Sequence, residues 1–292
     1  MRIEACDLEH ARAASREQAI RGLFEEARGE RLERYLIARS ADRIGGGMLI
    51  RPDAFDSEAL SRQVGRAALA VQEPGVGAAL VSAGIDLARE AGYACLLAQV
   101  DAQAWSLIWA FSGQGFRLVD VGIEFEHDLR HLPPPSGGSA ATIGDATESD
   151  LEAVLEGCAT IFRGSRFYTD PFYPDDRADE LHRRWIRNCY RDRAQRFLVA
   201  RIDGETVGFI TCLLDRPGGV GRLDLAGVRP ERRGKRVGRQ LVAAALHWLA
   251  PRAERVLVKT QVTNYVVASI FEAAGFRLRG SELIFSKVLG EE

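Results

Sequence analysis

The sequence predicts an α/β (α+β) fold built as two tandem copies of one strand–helix unit. Three observations carry this. First, landmarks recur in order: Val76-Gly77-Ala-Ala-Leu80-Val81 is echoed by Val237-Gly238-Arg-Gln-Leu241-Val242. Starting 18 residues after each glycine comes an aliphatic run, Cys95 to Val100 in one copy and Val256 to Val262 in the other. Gly115-Phe-Arg-Leu118 is then echoed by Gly275-Phe-Arg-Leu278, and ten residues beyond each of those glycines stands Phe125 or Phe285. Internal repetition of this kind fixes an architecture before any single element does. Second, His131-Leu-Pro-Pro-Pro-Ser-Gly-Gly-Ser139 can continue neither a helix nor a strand, so 132–139 is the expected linker. That places one domain at 1–131 and the other at 140–292. Third, the buried-strand run of the second copy is followed by a helical run that a glycine stops, Asn264 to Gly275.

Composition narrows the function classes. A chain of 292 residues with 46% hydrophobic residues has ample material for a core. A net charge of −2 argues against a general nucleic-acid binder. No apolar run approaches the ~20 residues of a membrane span, and Met1 to Arg21 has no apolar signal core. Five scattered cysteines without any Cys-x-x-Cys favour a reducing cytoplasm, and the five histidines show no metal spacing, so no metal is expected. The mixed charges from Glu25 to Arg34 fit an exposed helix face. Both a monomer and a homodimer remain open.

The basic charge is local. Val228-Arg-Pro-Glu-Arg-Arg-Gly-Lys-Arg-Val-Gly238, followed by Arg239 to Ala250, reads as a strand end, a turn and a helix N-terminus. Free backbone N–H groups and the positive end of the helix dipole meet there. Arg233, Lys235, Arg236 and Arg239 add charge around Gly234, Val237 and Gly238, a cradle suited to a pyrophosphate. A basic surface turn is the plain alternative. The first copy has only Gln72-Glu73-Pro74-Gly75 at the matching place, without a base.

With Val228, Pro230, Arg233 and Gly238, and with Asn264, Ala268 and Phe271 downstream, the second copy resembles the GNAT superfamily of acetyl-CoA-dependent N-acyltransferases. The resemblance implies two GNAT-like domains, each a mixed, mostly antiparallel sheet flanked by helices. The first is degenerate and without cofactor. The second binds acetyl-CoA (coenzyme A) through Ala226, Val228, Arg233, Gly234, Lys235, Arg236, Val237, Gly238, Arg239, Asn264 and Phe271. Arg236 replaces the family's middle glycine, a departure tolerated if it keeps a helical φ. Phe271 replaces the tyrosine that usually protonates the leaving thiolate, and a phenyl ring has no proton to give.

Arg163 to Asp176 is polar, aromatic and twice broken by proline, and reads as loop or short turns. Arg166, Phe167, Tyr168, Asp170 and Tyr173 form a candidate wall for a small-molecule amine, or an aromatic loop packed on its own domain. With Trp185 and Asn188 the segment is similar to the branch of the family that acetylates nucleotide-linked amino-deoxysugars. A protein amine or an aminoglycoside-like antibiotic is the alternative acceptor, and a non-catalytic acetyl-CoA-binding module the alternative role. Strand alternation puts Asp224, Ala226 and Val228 on one face. The resemblance implies that this face looks onto the thioester and the acceptor amine, which makes Asp224 the candidate base, or the carboxylate that holds the amine; pairing with Arg222 or a neighbour is the other reading. Tyr168 or Tyr173 is the candidate acid.

Overall fold

A half-buried strand needs a hydrogen-bonding neighbour on each edge, and the chain supplies those neighbours within two compact units. The computed structural model describes all residues except 15–19, 21, 26, 41–42, 74, 133–140, 216–218 and 291–292. The first unit is Met1–Val121 with Glu282–Glu292, and the second is Gly122–Ser281.

The first half of the chain forms β1 (Arg2–Cys6), α1 (Leu8–Ala14), β2 (Arg34–Ser40), β3 (Arg43–Pro52), α2 (Ala54–Leu60), β4 (Val64–Val71), α3 (Val76–Glu90), β5 (Cys95–Asp101), α4 (Trp105–Gly113) and β6 (Arg117–Asp128). The second half forms β7 (Thr142–Asp145), α5 (Glu148–Ile161), α6 (Arg166–Thr169), α7 (Asp175–Asn188), β8 (Arg196–Ile202), β9 (Glu205–Asp215), β10 (Val220–Val228), α8 (Val237–Leu249), β11 (Arg255–Gln261), α9 (Tyr265–Ala273) and β12 (Arg277–Val288).

The two units have one topology. In the first, β1 to β4 pair antiparallel in sequence, and β5 lies parallel to β4. Glu282–Val288 of β12 then pairs antiparallel with β5. In the second, β7 to β10 pair antiparallel in sequence, β11 lies parallel to β10, and Gly122–Asp128 of β6 pairs antiparallel with β11. Both sheets are mixed and mostly antiparallel, with helices packed on them, as the sequence predicts. Each parallel pairing lasts four residues, Val64↔Cys95 to Ala67↔Ala98 and Val220↔Arg255 to Leu223↔Val258, and then stops.

The closing strands are exchanged. β6 follows the first copy in sequence yet completes the second sheet, and the end of β12 completes the first. The contiguous division at 1–131 and 140–292 is therefore a division of the sequence, whereas the packing assigns 122–131 to the second unit and 282–292 to the first. Of the linker expected at 132–139, all but Leu132 lies outside the described residues.

Amphipathic helices bury their apolar stripes on these sheets. Leu80, Val81 and Ile85 of α3 pack with Met48, Ile50, Leu96 and Phe285. Leu241, Val242, Leu246 and Leu249 of α8 pack with Ile210, Leu223, Val258 and Phe125. In a separate cluster of the second unit, Leu151 and Leu155 of α5 and Ile186 of α7 meet Phe197, Phe209 and Leu225. Thr147 caps α5 in a reciprocal box with Asp150. Burial would raise the Asp150 pKa, but hydrogen bonds from Arg201, Thr147 and Thr206 outweigh it and hold the carboxyl well below its ordinary range.

Among the described residues, the charge run at 25–34 is not a helix face. Glu33 is buried, accepts the N–H groups of Arg28, Gly29 and Glu30 at 3.0, 2.7 and 3.2 Å, and also accepts the Tyr35 hydroxyl. Gly29 at φ +75° makes that tight turn.

Candidate active site

The cradle begins where β10 and β11 part. Beyond Leu223 the parallel ladder ends, while β10 continues along β9 to Val228. Backbone groups facing such a gap are open to an extended ligand. A single turn of 3₁₀ helix, Pro230–Arg232, follows with proline at its first position. Gly234 at φ +78° turns the chain, and the helix α8 starts at Val237 without a side-chain cap. Its first N–H groups therefore have neither an intrahelical partner nor a side-chain cap. Arg233, Lys235, Arg236 and Arg239 are exposed, while Arg232 is drawn to Glu205 at 2.9 Å.

Two details differ from expectation. Arg236 lies at φ +61°, ψ 7°, in the left-handed region, not at a right-handed helical φ. A non-glycine residue there carries strain of about 1 kcal/mol, which the family's glycine avoids. Gly238, expected to allow close approach of a ligand, also sits close to α9. A Cβ there would stand 3.2 Å from Ile270 Cδ1 of α9.

Asn264 precedes α9 and its Nδ2 donates to Thr260 Oγ1 at 3.2 Å. Phe271 is a core residue, 3% exposed, with its ring 5.8 Å from Phe125 and 5.3 Å from Phe276.

The 163–176 segment is short turns, as expected, and it is packed, as in the alternative reading of an aromatic loop packed on its own domain. Arg166, Phe167, Asp170 and Tyr173 are all buried. Arg166, 8% exposed, lays its guanidinium 4.0 Å over the Phe167 ring and 5.3 Å from that of Tyr173, and Nη1–H donates to the Tyr173 hydroxyl at 3.2 Å. Tyr168 is half-buried and its hydroxyl donates to Asp179 at 2.5 Å. Burial first, and the Asp179 carboxylate second, push the Tyr168 pKa up, so it keeps its proton.

His182 is the hub of this wall. Its ring stacks with Phe162 at 4.7 Å and with Tyr168 at 5.5 Å. Nδ1 lies 2.7 Å from the Ala178 carbonyl, which only accepts, so Nδ1 carries the hydrogen and Nε2 accepts from Ser165 Oγ at 3.3 Å. Burial lowers its pKa from 6.5 to about 4. Between those values the unfolded chain binds a proton that the folded protein does not, so stability is lost as pH falls through that window. Relative to His182→Gln, the wild type is expected to lose about 3 kcal/mol more between pH 7 and pH 4. Urea unfolding at several pH values checks this, and parallel curves for the two proteins would contradict it.

Asp224 does not share a face with Ala226 and Val228. The β9–β10 register slips between Leu223↔Cys212 and Ala226↔Ile210, a bulge closed by Leu225 N–H donating to Thr211 Oγ1 at 2.9 Å. The extra residue inverts the alternation. Leu223 packs in the α8 cluster and Leu225 in the α5–α7 cluster, although two residues apart. Val228 lies against the α8 cluster, whereas Asp224 meets α7 and the π turn that extends it, Cys189–Arg193. Asp224 accepts from Trp185 Nε1 at 3.0 Å, Cys189 Sγ at 3.4 Å, and Arg193 Nε and Nη2 at 2.9 and 3.2 Å. Arg222 pairs with Asp215 instead. Burial first, and Asp224 second, push the Cys189 thiol up to about 12.

His182, Cys189 and Arg193 were not among the candidate site residues of the sequence. A signal was present, since Trp185, Cys189 and Arg193 recur at intervals of four along one helical face.

Residues 159–276 match the acetyltransferase (GNAT) family. Over 151 residues the chain is 30% identical to the spore coat polysaccharide biosynthesis protein SpsD of Bacillus subtilis, covering 51% of this chain and 52% of that protein. It is 27% identical over 192 residues to a mycothiol acetyltransferase of Acidothermus cellulolyticus, covering 59% of this chain and 56% of that one. The chain thus spans about half the length of these relatives. A tandem GNAT protein from the clavulanic acid biosynthesis pathway superposes with a TM-score of 0.55 at 19% identity, covering 89% of this chain and 84% of its own. At that identity the likeness is one of fold. Among the described residues no helix is long and apolar enough to cross a membrane.

Proposed function

We propose that the chain is an acetyl-CoA-dependent N-acetyltransferase acting on the amine of a small molecule, with a nucleotide-linked amino-deoxysugar as the favoured acceptor. The observation that carries this is the parting of β10 and β11 into an uncapped, basic helix N-terminus inside a GNAT domain. Arg233, Lys235, Arg236 and Arg239, with the amides of Val237, Gly238 and Arg239, suit a pyrophosphate. Gly234 has nothing within 4 Å of a hypothetical Cβ, so the turn leaves room for one. Ala226 to Val228 and Asn264 flank the gap in which the pantetheine arm would lie. Bound there, acetyl-CoA supplies an activated thioester carbonyl.

The amine nitrogen forms a C–N bond to that carbon as the C–S bond breaks. The ammonium must lose a proton and the thiolate must gain one. Phe271 supplies none, and Tyr168 holds its own proton tightly, so the remaining candidates are Tyr173 and water. The α6–α7 wall of Arg166, Phe167, Tyr168, Asp170 and Tyr173 is assigned to the acceptor, with Arg166 shaping the wall from within. The relative named for spore coat polysaccharide biosynthesis supports a sugar acceptor.

The test is a thiol-release screen of nucleotide amino sugars against aminoglycosides and peptides. Release with the amino sugars is expected, with Tyr168→Ala raising the acceptor KM about tenfold and leaving the acetyl-CoA KM unchanged. Release only with peptides would move the function to protein amines. Binding of acetyl-CoA without any release would make the chain a non-catalytic module.

A further inference from the structure

Two carboxylates of the second unit were candidates to hold the acceptor, and their surroundings separate them. Asp224, with a side chain 15% exposed, already accepts four donors: one from Trp185, one from Cys189 and two from Arg193. A carboxylate offers about four lone-pair sites, so none is left to take an amine proton.

Asp170 is the opposite case. It is 4% exposed, Oδ1 accepts the Phe172 N–H at 3.0 Å, and Oδ2 is buried with no hydrogen-bond partner among the described residues. A buried carboxylate oxygen without a donor leaves its desolvation uncompensated. The turn does not call for that charge. An asparagine oxygen would accept the same Phe172 N–H while keeping the site neutral. The surrounding wall is aromatic, through Phe167, Phe172 and Tyr173, and the Arg166 guanidinium lies over the Phe167 and Tyr173 rings. Asp170 ends the short helical turn α6, its N–H donating to the Arg166 carbonyl and its carbonyl accepting the Tyr173 N–H, so the backbone sets the carboxylate between the turn and the aromatic wall.

We propose that Asp170 Oδ2 receives an N–H or O–H donor of the acceptor, either its ammonium or a neighbouring hydroxyl. Asp224 is then a positioning residue that fixes Arg193 and Trp185. This rests on the N-acetyltransferase reading. It makes the acceptor a compact polar amine, hydroxylated or cationic beside the aromatic wall, such as an amino sugar.

The experiment uses the full chain with Asp170→Asn, Asp170→Ser and Asp224→Asn. In Asp170→Asn the amide oxygen can still take the Phe172 N–H, which leaves the amide NH₂ where the acceptor's donor should bind. The free protein should then be as stable as wild type or more so. The acceptor KM should rise about tenfold or more, and the acetyl-CoA KM should not move. Asp170→Ser, which keeps an acceptor for Phe172 N–H, should show the same KM split. Asp224→Asn should lower the Tm while keeping the acidic limb of the kcat/KM–pH profile. Loss of that limb would make Asp224 the base and overturn its assignment.

A deaminated sugar used as a competitive inhibitor separates the two donor sources. If Asp170→Asn still weakens it, the donor is a hydroxyl; if not, it is the ammonium. A lowered Tm for Asp170→Asn with an unchanged acceptor KM would show a structural carboxylate and overturn the proposal, as would no change in either. Absence of thiol release from the wild type would sink the transferase reading instead. The Asp170 proposal would then be decided by calorimetry with the same amino sugars, whose binding Asp170→Asn must weaken.

Discussion

Ending the chain after Ser281 is expected to unfold the first unit and leave the second folded. The deleted residues are last in sequence, yet Glu282–Val288 forms the closing strand of the first sheet, in register from Glu282↔Asp101 to Val288↔Cys95. Phe285 and Leu289 go with it, and both belong to the core around α3, where the Phe285 ring stacks on Phe111 at 6.3 Å. Removing a buried Phe costs about 3–5 kcal/mol and a buried Leu about 2–5 kcal/mol. Together these approach the whole stability of a typical domain, roughly 5–15 kcal/mol. The truncation also leaves β5 as a bare, apolar edge. Hydrogen exchange read by mass spectrometry checks this. Amides of β2 to β5 should lose protection, while β8 to β11 keep theirs. Protection retained across β2 to β5 would show that the first sheet does not depend on the end of the chain.

The exchange was beyond the reach of the sequence for a reason that the sequence itself contains. Gly115-Phe-Arg-Leu118 and Gly275-Phe-Arg-Leu278 open β6 and β12 with the same pattern, and Phe125 and Phe285 occupy matching places. Alternation says which residues of a strand face a core. It does not say which of two like cores. Duplicated strands fit either parallel edge, so only the packing distinguishes exchange from its absence. The elements were legible because their signals are local: the glycine stop at Gly275 and the aliphatic runs of β5 and β11.

The site divides the same way. The cradle was legible because glycine, proline and clustered arginine act on the backbone where they stand. Asp224 was misplaced because its direction depends on a bulge, and the bulge depends on Thr211 in the neighbouring strand bonding Leu225. The departure at Arg236 was tolerable only with a helical φ, a condition that the turn out of Gly234 does not meet, since it sets the residue at φ +61°. The contacts of Phe167 and Tyr168 in α6 with His182 and Asp179 in α7 join residues that no periodicity links.

One acetyl-CoA per chain is expected, bound at the second unit and abolished by reversing two charges of its turn. Arg233 and Arg239 are exposed; Arg233 precedes the uncapped helix α8 and Arg239 lies in its first turn. Arg233→Glu with Arg239→Glu turns two attractive partners of a pyrophosphate into repulsive ones. About a hundredfold loss of affinity, ~2.7 kcal/mol, is a conservative expectation for two charge-assisted contacts. Because these groups are exposed, wild-type affinity should also fall as salt rises. The first unit offers the same backbone device, since α3 begins after Gly75 at φ +85° without a side-chain cap. What it lacks is charge. Glu73 precedes that helix, no base lies between Gln72 and Gly77, and an anion there would meet a carboxylate. Gly77 itself is a poor control, because a Cβ there would stand 3.0 Å from Ala110 Cβ and disturb packing. Glu73→Gln is the better one and should leave both stoichiometry and affinity as they are. Calorimetry decides: two molecules bound per wild-type chain, or one still bound at full affinity after both reversals, would mean that the backbone cradle alone recruits the anion and that the arginines do not select which unit holds it.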